Sequence, residues 1–413
     1  MAVDYDLICR RDALGPLLAA AFLIRKKCRV LLLPPLPVQA PEPHFLLPVL
    51  RGYPAALLSS LIALEKPPAR FLSWQVDNTI SFWPEAAARL QALAAARSSA
   101  GQGPPALAEF WQLLDSCMAQ GLEMPVSSLN GIGRMLWLLL RNELLREHRR
   151  AGLADWLVGA GIAPAEQQLL RLLVPLLSLS RFADPPLLAY AYGLQTLVAP
   201  EAWLDLARLK ARLYQFLIDH GAFQADEEWE PIFDGKWFIG VGNKDKVARR
   251  ATLFLAEADP RSLRQEIRES RRRRDFKRQL RLDEPGYRLL SSVPASSGLS
   301  AGQALYHLDC RGADDICETE LQVVAGAGVT AYRWQAVAPV AVEESSGVRE
   351  PEGDWGWRPH LPAMMGGGFL PLRGSFCRFY QLGWHNLPGF GLGGLVYSAH
   401  QMAAWALKTE LQR

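Results

Sequence analysis

The sequence predicts an α/β fold that opens as a dinucleotide-binding unit, and three observations carry that expectation. Residues 5 to 35, "YDLICRRDALGPLLAAAFLIRKKCRVLLLPP", read as strand, turn, helix and strand. A largely helical stretch follows from Pro84 to Arg150, and short strand-like runs return between 236 and 260. With 413 residues, half of them apolar, the chain can bury a large core and has the length of roughly two or three domains.

Tyr5 to Ile8 is a short apolar run suited to a buried strand. Gly15 to Lys27 has the small and apolar residues of a packed helix, and Cys28 to Leu33 forms a second strand stopped by Pro34 and Pro35. Residues 36 to 70 are proline-rich and read as loop, with one helical piece around Ala55 to Leu64. Three helical runs come next, "PEAAARLQALAAARSS", "ALAEFWQLLDSCMAQ" and "GRMLWLLLRNELLREHRR", then a helix pair at 164 to 180. "YAYGLQTLV" at 190 to 198 reads as a glycine turn ahead of a long amphipathic helix. "KWFIGVG", "KVARRATLFLAEADP", "YRLLSSV", "QALYHLDC" and "LQVVAG" read as strands, and 342 to 358 as loop.

A net charge of +3 is too mild to argue for nucleic acid. Cysteines 9, 28, 117, 310, 317 and 377 are scattered, with no Cys-x-x-Cys pair or nearby histidine, so no metal site is expected and buried thiols in a reducing compartment are. Residues 261 to 281 concentrate ten Lys and Arg. They read as a solvated helix face with Leu263, Ile267, Phe276 and Leu280 as its apolar seam; the alternative is a peripheral contact of Arg271–Arg274 with an anionic membrane surface. No run reaches the roughly 20 apolar residues of a spanning helix, and a cytoplasmic protein, with or without contact to the inner face of the membrane, is expected.

The first loop sets well-defined physical demands. One glycine makes the tight turn, a second lets the backbone approach a diphosphate, and a third lets helix and strand pack closely. Here those positions hold Arg10, Asp12 and Gly15. Asp12 places a negative charge where a doubly negative linker would lie, and two like charges about 4 Å apart repel by roughly 4 kcal/mol at an effective dielectric near 20. The second strand should end in an acid that accepts from ribose hydroxyls. It ends at Pro34, and no acid occurs between Asp12 and Glu42. Near the other end, Gly389, Gly391 and Gly394 form a GxGxxG pattern just before an apolar helix.

In this order the pieces resemble the flavin-dependent amine oxidase superfamily and, within it, the phytoene desaturase and carotenoid or retinol oxidoreductase branch. The resemblance is carried by the opening unit, "PHFL" at 43 to 46, "YAYGLQTLV", the hairpin and strand that end in Ala258, Asp259 and Pro260, and the tail from Cys377 onward. It implies a discontinuous Rossmann-like FAD-binding-type domain from residues 1–70, 185–260 and 365–413, with 71–184 and 261–364 as an inserted α+β substrate-type domain. Arg10, Asp12, Gly15, Pro34, Gly389, Gly391 and Gly394 then match the family's FAD positions, and Arg10, Asp12 and Pro34 depart from its pattern. No residue is assigned a catalytic role: His385 reads as a structural hydrogen bonder and Asp259 as a helix N-cap.

These departures lead to an expected absence of cofactor and to a degenerate, non-catalytic binding or partner protein, a pseudoenzyme. The alternative is an FAD-dependent oxidoreductase, desaturase- or isomerase-like, acting on a long apolar polyene or lipid.

Overall fold

The computed structural model describes residues 4–11, 13–34, 46–49, 52–64, 72–76, 79–82, 106–119, 141–148, 151–162, 187–198, 202–225, 232–233, 237–241, 248–257, 276–278, 287–293, 305–311, 355–357, 378–383 and 391–411, with single positions at 88, 91, 92, 133, 136, 137, 140, 167 and 170. Its helices are α1 (Leu14–Ile24), α2 (Tyr53–Ser59), α3 (Leu107–Ala119), α4 (Glu143–His148), α5 (Leu153–Gly159), α6 (Leu187–Val198), α7 (Leu206–Asp219) and α8 (Gly391–Thr409). Asp12, Asp259, Arg271–Arg274, His385 and Gly389, most of the helix run at 84–99, most of 164–180 and "LQVVAG" lie outside the described residues.

The opening stretch folds as strand, helix and strand. β1 (Tyr5–Arg10) and β2 (Val30–Leu33) pair in parallel, Leu7 opposite Val30 and Arg10 opposite Leu33, with α1 joining them. β10 (Ala248–Glu257) pairs in parallel with the other side of β1. Two strands share the far edge of β10: β9 (Phe238–Val241) runs antiparallel along its first half and β15 (Phe379–Leu382) parallel along its second. With β7 (Phe223–Gln224) beside β2 and β8 (Ile232–Phe233) beside β9, the sheet has seven strands in the order β7-β2-β1-β10-β9-β8, β15 lying off that path on β10.

A second, antiparallel sheet has the order β13-β12-β4-β5, built from β4 (Leu72–Val76), β5 (Thr79–Phe82), β12 (Tyr287–Val293) and β13 (Leu305–Arg311). Two small antiparallel pairs are β3 (Leu46–Pro48) with β6 (Trp203–Asp205) and β11 (Phe276–Arg278) with β14 (Trp355–Trp357).

Two elements differ from the sequence reading. Gly193 sits buried inside α6, which runs Leu187–Val198, rather than in a turn. A single interior glycine weakens a helix by only about 1 kcal/mol, which the leucines and alanines around it outweigh. Phe276–Arg278, expected on a helix face, is a strand paired with Trp355–Trp357, inside the segment expected to be loop.

The core explains the order of the chain. Every residue of α1 from Leu14 to Ile24 is buried, because the helix is covered by the sheet on one side and by α7 and α8 on the others. Leucine and alanine over three turns suit that position: they have high helix propensity and no polar group to satisfy. α8, from the far end of the chain, contributes Leu392, Leu395, Val396, Ala399, Met402, Ala403 and Ala406 to the same core. Among the described residues no helix is long and apolar enough to cross a membrane.

Two polar features of this unit bear on its stability. Asp6, 6% exposed on β1, accepts a 2.6 Å hydrogen bond from the Arg29 backbone N–H, and the Arg29 Nε stands 3.8 Å from the same carboxylate. The pair ties the start of β2 to β1. His400 of α8 packs edge-on against Phe22 of α1 and Tyr53 of α2, with ring centroids 5.1 and 5.8 Å away. The Tyr53 hydroxyl lies 3.3 Å from His400 Nδ1, close enough to donate to it when that nitrogen is unprotonated.

Asp6→Ala removes an acceptor from a backbone donor that the fold holds in place. The expected loss is about 1–3 kcal/mol in chemical denaturation, with a smaller loss for Asp6→Asn, which retains a carbonyl oxygen. Burial lowers the pKa of His400, and also that of His148, where the Glu147 charge opposes the effect. A lowered histidine pKa means that the unfolded chain takes up the proton first. Stability is therefore full above the ordinary histidine value near 6.5 and falls as pH drops through the lower folded values. Denaturation midpoints measured from pH 7.5 to 5 are expected to decline, and His400→Gln to reduce that decline.

Candidate functional site

In a doubly wound α/β sheet, ligands bind at the carboxyl ends of the parallel strands. Here that edge is formed by Arg10 at the end of β1, Leu33 at the end of β2, Glu257 at the end of β10 and Leu382 at the end of β15. α1 starts at the same edge, directly after β1. Its N-cap is Ala13, no side chain caps it, and no acidic residue stands in its first turn. The backbone N–H groups of Leu14 and Gly15 belong to the first turn, where a helix has no internal acceptor for them; Pro16 has no N–H to offer. Among the described residues the positive end of the helix dipole meets no acidic side chain in its first turn; Asp12, just ahead of the N-cap, lies outside them.

Gly15 is sterically obligatory here. A Cβ placed on it would lie 2.7 Å from the Leu382 carbonyl oxygen and 2.8 Å from the Leu382 Cβ. These are backbone-anchored atoms, so the helix could not keep its seat against β15 with any side chain at position 15. The requirement read from sequence, a glycine for close packing of helix and strand, has a concrete partner in Leu382. Sequence alone could not name it, because the contact joins the first helix to a strand near the far end of the chain.

Arg10 departs from the glycine pattern without breaking the turn. β1 continues through it, Arg10 pairs opposite Leu33, and the next residue, Arg11, donates its backbone N–H to the Leu33 carbonyl at 3.1 Å. The side chain is half-buried and crosses to the end of β2, Nη1 lying 3.5 Å from the Pro34 carbonyl oxygen. That separation is long for a hydrogen bond, but it places the guanidinium over the strand end. Pro34 contributes only a carbonyl there, while Arg11 is exposed beside it.

At the C-terminal turn, Gly391 opens α8 with φ of 51°, a left-handed conformation that favours glycine. Gly391 and Gly394 are both buried in the helix's first turn. The structure therefore places Arg10, Gly15 and Pro34 around the ends of β1 and β2, and Gly391 and Gly394 at the start of α8. Among the described residues no group of three or more His, Cys, Asp or Glu could hold a metal ion.

No family model matches the chain, and no curated protein matches it in sequence. Solved structures do. Putrescine oxidase, in its wild type bound to putrescine, aligns over 98% of this chain and 99% of its own at 10% identity, with a TM-score of 0.50. Cyclohexylamine oxidase from Brevibacterium oxydans IH-35A aligns over 99% and 100% at 15% identity with a TM-score of 0.45. An oxidoreductase from Methanosarcina mazei aligns over 97% and 99% at 11% identity with a TM-score of 0.46.

The putrescine oxidase match shows a shared fold. This corrects the expectation that no cofactor is bound: the fold is shared with putrescine oxidase, a cofactor-binding enzyme. The expectation leaned on the Asp12 charge facing the diphosphate, together with Arg10 and Pro34; Asp12 lies outside the described residues, and β1 runs on through Arg10 and carries its side chain to the end of β2.

Replacing Gly15 with alanine forces α1 off β15. The expected cost is about 1–3 kcal/mol, the range for overpacking a close-packed contact, read as a lowered denaturation midpoint. Leu382→Ala in the same background should recover little, because the carbonyl oxygen of residue 382 remains.

Proposed function

We propose that this chain is an FAD-dependent oxidoreductase whose first βαβ unit holds the cofactor's adenosine diphosphate portion. The observation that carries the proposal is the near full-length fold match to an oxidase, together with the uncapped start of α1 at the carboxyl edge of the parallel strands. At this helix start the N–H groups of Leu14 and Gly15 would donate to a diphosphate and Gly15 would let the backbone come close, while the charge of Asp12, one residue ahead of the N-cap, opposes it. The ribose end fits less well, since Pro34 supplies no acceptor side chain and Arg10 stands over the strand end. Gly391 and the first turn of α8 would face the flavin ring.

When bound, FAD supplies the electron-accepting ring. The chain's own part is to bind and orient it, through the α1 start at one end and the α8 start at the other, and to exclude water by means of the apolar core that seats both helices. The substrate is proposed at the level of class. A long apolar polyene or lipid follows from the phytoene desaturase resemblance, and an amine follows from putrescine oxidase, which is bound to putrescine.

The division into a discontinuous cofactor domain and an inserted substrate domain remains part of this proposal. It is supported by the seven-stranded sheet, which draws its strands from 5–10, 30–33, 223–257 and 379–382, and by the separate sheet built from 72–82 and 287–311. A contact of Arg271–Arg274 with an anionic membrane surface is a separate proposal that rests on sequence alone. A non-catalytic role is not proposed, since it depended on the loss of the cofactor.

Protein purified from a flavin-replete host is expected to be yellow with one flavin per chain. FAD added to flavin-free protein at a hundred times its Kd should stabilise the fold by about 2.7 kcal/mol. Colourless protein that shows no thermal shift and no quenching of flavin fluorescence at saturating FAD would overturn the proposal.

A further inference from the structure

Six large hydrophobic side chains are exposed among the described residues, and three of them, Leu136, Trp137 and Leu140, lie close together in the chain. With Gly133 and Arg141 they are helical and exposed, at the i, i+3, i+4, i+7 and i+8 spacing of one helix face. Leu136 is 47% exposed, Trp137 46% and Leu140 78%. A Cβ placed on Gly133 would meet nothing within 4 Å, so that end of the stripe is open too. The Arg141 guanidinium lies over the Trp137 ring, 4.4 Å from its centroid. We propose that this stripe, just ahead of α4, is a docking surface that lies on an anionic lipid bilayer. It is a different surface from Arg271–Arg274, and its occupant is independent of the cofactor.

The chemistry of the stripe fits lipid. Apolar side chains on one helix face enter the headgroup boundary while the helix lies flat on the bilayer, and no described helix is long and apolar enough to cross it. An indole suits that boundary, because its ring is apolar and its N–H can stay wet. A guanidinium stacked on the indole then stands at headgroup level, where it can donate to a phosphate while its stem covers apolar surface. Charge points the same way. No acid occurs between Glu123 and Glu143, and residues 134 to 150 carry five arginines, at 134, 141, 146, 149 and 150, against two acids, Glu143 and Glu147. Glu143 is itself paired with Arg146 at 3.1 Å. Such an excess attracts an anionic bilayer. It opposes a second copy of the chain, since a two-fold interface would set each run of arginines against its twin.

The test is co-sedimentation of the full chain with vesicles of phosphatidylcholine containing about 30% phosphatidylserine, and with vesicles of phosphatidylcholine alone. The chain is expected to bind the anionic vesicles, and to bind phosphatidylcholine alone about tenfold more weakly. The combined change Leu136→Gln, Trp137→Gln and Leu140→Gln is expected to weaken binding to the anionic vesicles about tenfold. The denaturation midpoint should stay unchanged, because these side chains are exposed. The same loss is expected in a background where Arg271, Arg272, Arg273 and Arg274 are all changed to Gln, which separates the two surfaces. An unaltered chain that fails to bind, equal binding to both kinds of vesicle, or binding that the combined change leaves intact would each overturn the proposal. A concentration-dependent dimer in sedimentation velocity, abolished by the combined change and present without vesicle binding, would overturn it in favour of a second copy. Should the combined variant not fold, Leu140→Gln alone is expected to weaken binding about threefold, and unchanged binding in that variant overturns the proposal equally.

Discussion

The close seat of α1 on the end of β15, made by Gly15 against the Leu382 backbone, is the constraint on which the rest of the fold depends. It fixes where the first helix begins relative to four parallel strand ends, and it joins the opening of the chain to its close. α8, which follows β15, packs along α1 over the same core. The two helix starts that would hold opposite ends of a flavin dinucleotide are therefore positioned by one apolar interior. A disturbance at Gly15 would be felt at both.

Among the described residues, the charges and donors around that seat are cationic or N–H groups; Asp12 lies outside them. The α1 start carries helix N–H groups without a capping side chain, and Arg10 and Arg11 follow one another at the end of β1. A diphosphate suits the first feature by hydrogen bonding and the second by charge. At the end of β2 Pro34 offers a carbonyl oxygen but no acceptor side chain.

Much of the larger sheet was legible in the sequence. Short β-branched and leucine runs bounded by proline or charge gave β1, β2, β9 and β10, and the small-residue helix between the first two gave α1. The role of Gly15 was readable because only close packing requires glycine at that place. The consequence of Arg10 was not, because it turns on whether β1 ends before or after that residue, a matter of strand register set by pairing with Leu33 rather than by local composition. Gly193 misled for a similar reason: a glycine inside a buried helix looks the same in sequence as one in a turn. The pairing of Phe276–Arg278 with Trp355–Trp357 joins segments far apart in the chain, and no local pattern announces it.

The account stands on the α1 start as the place where a dinucleotide diphosphate is held. Amide hydrogen exchange of the full chain with and without FAD reads that place directly. The account predicts slowed exchange in peptides covering residues 10 to 17, where the N–H groups of Leu14 and Gly15 lie, and at the α8 start near Gly391. Exchange unchanged in those peptides at saturating FAD, or protection confined to other parts of the chain, would contradict it.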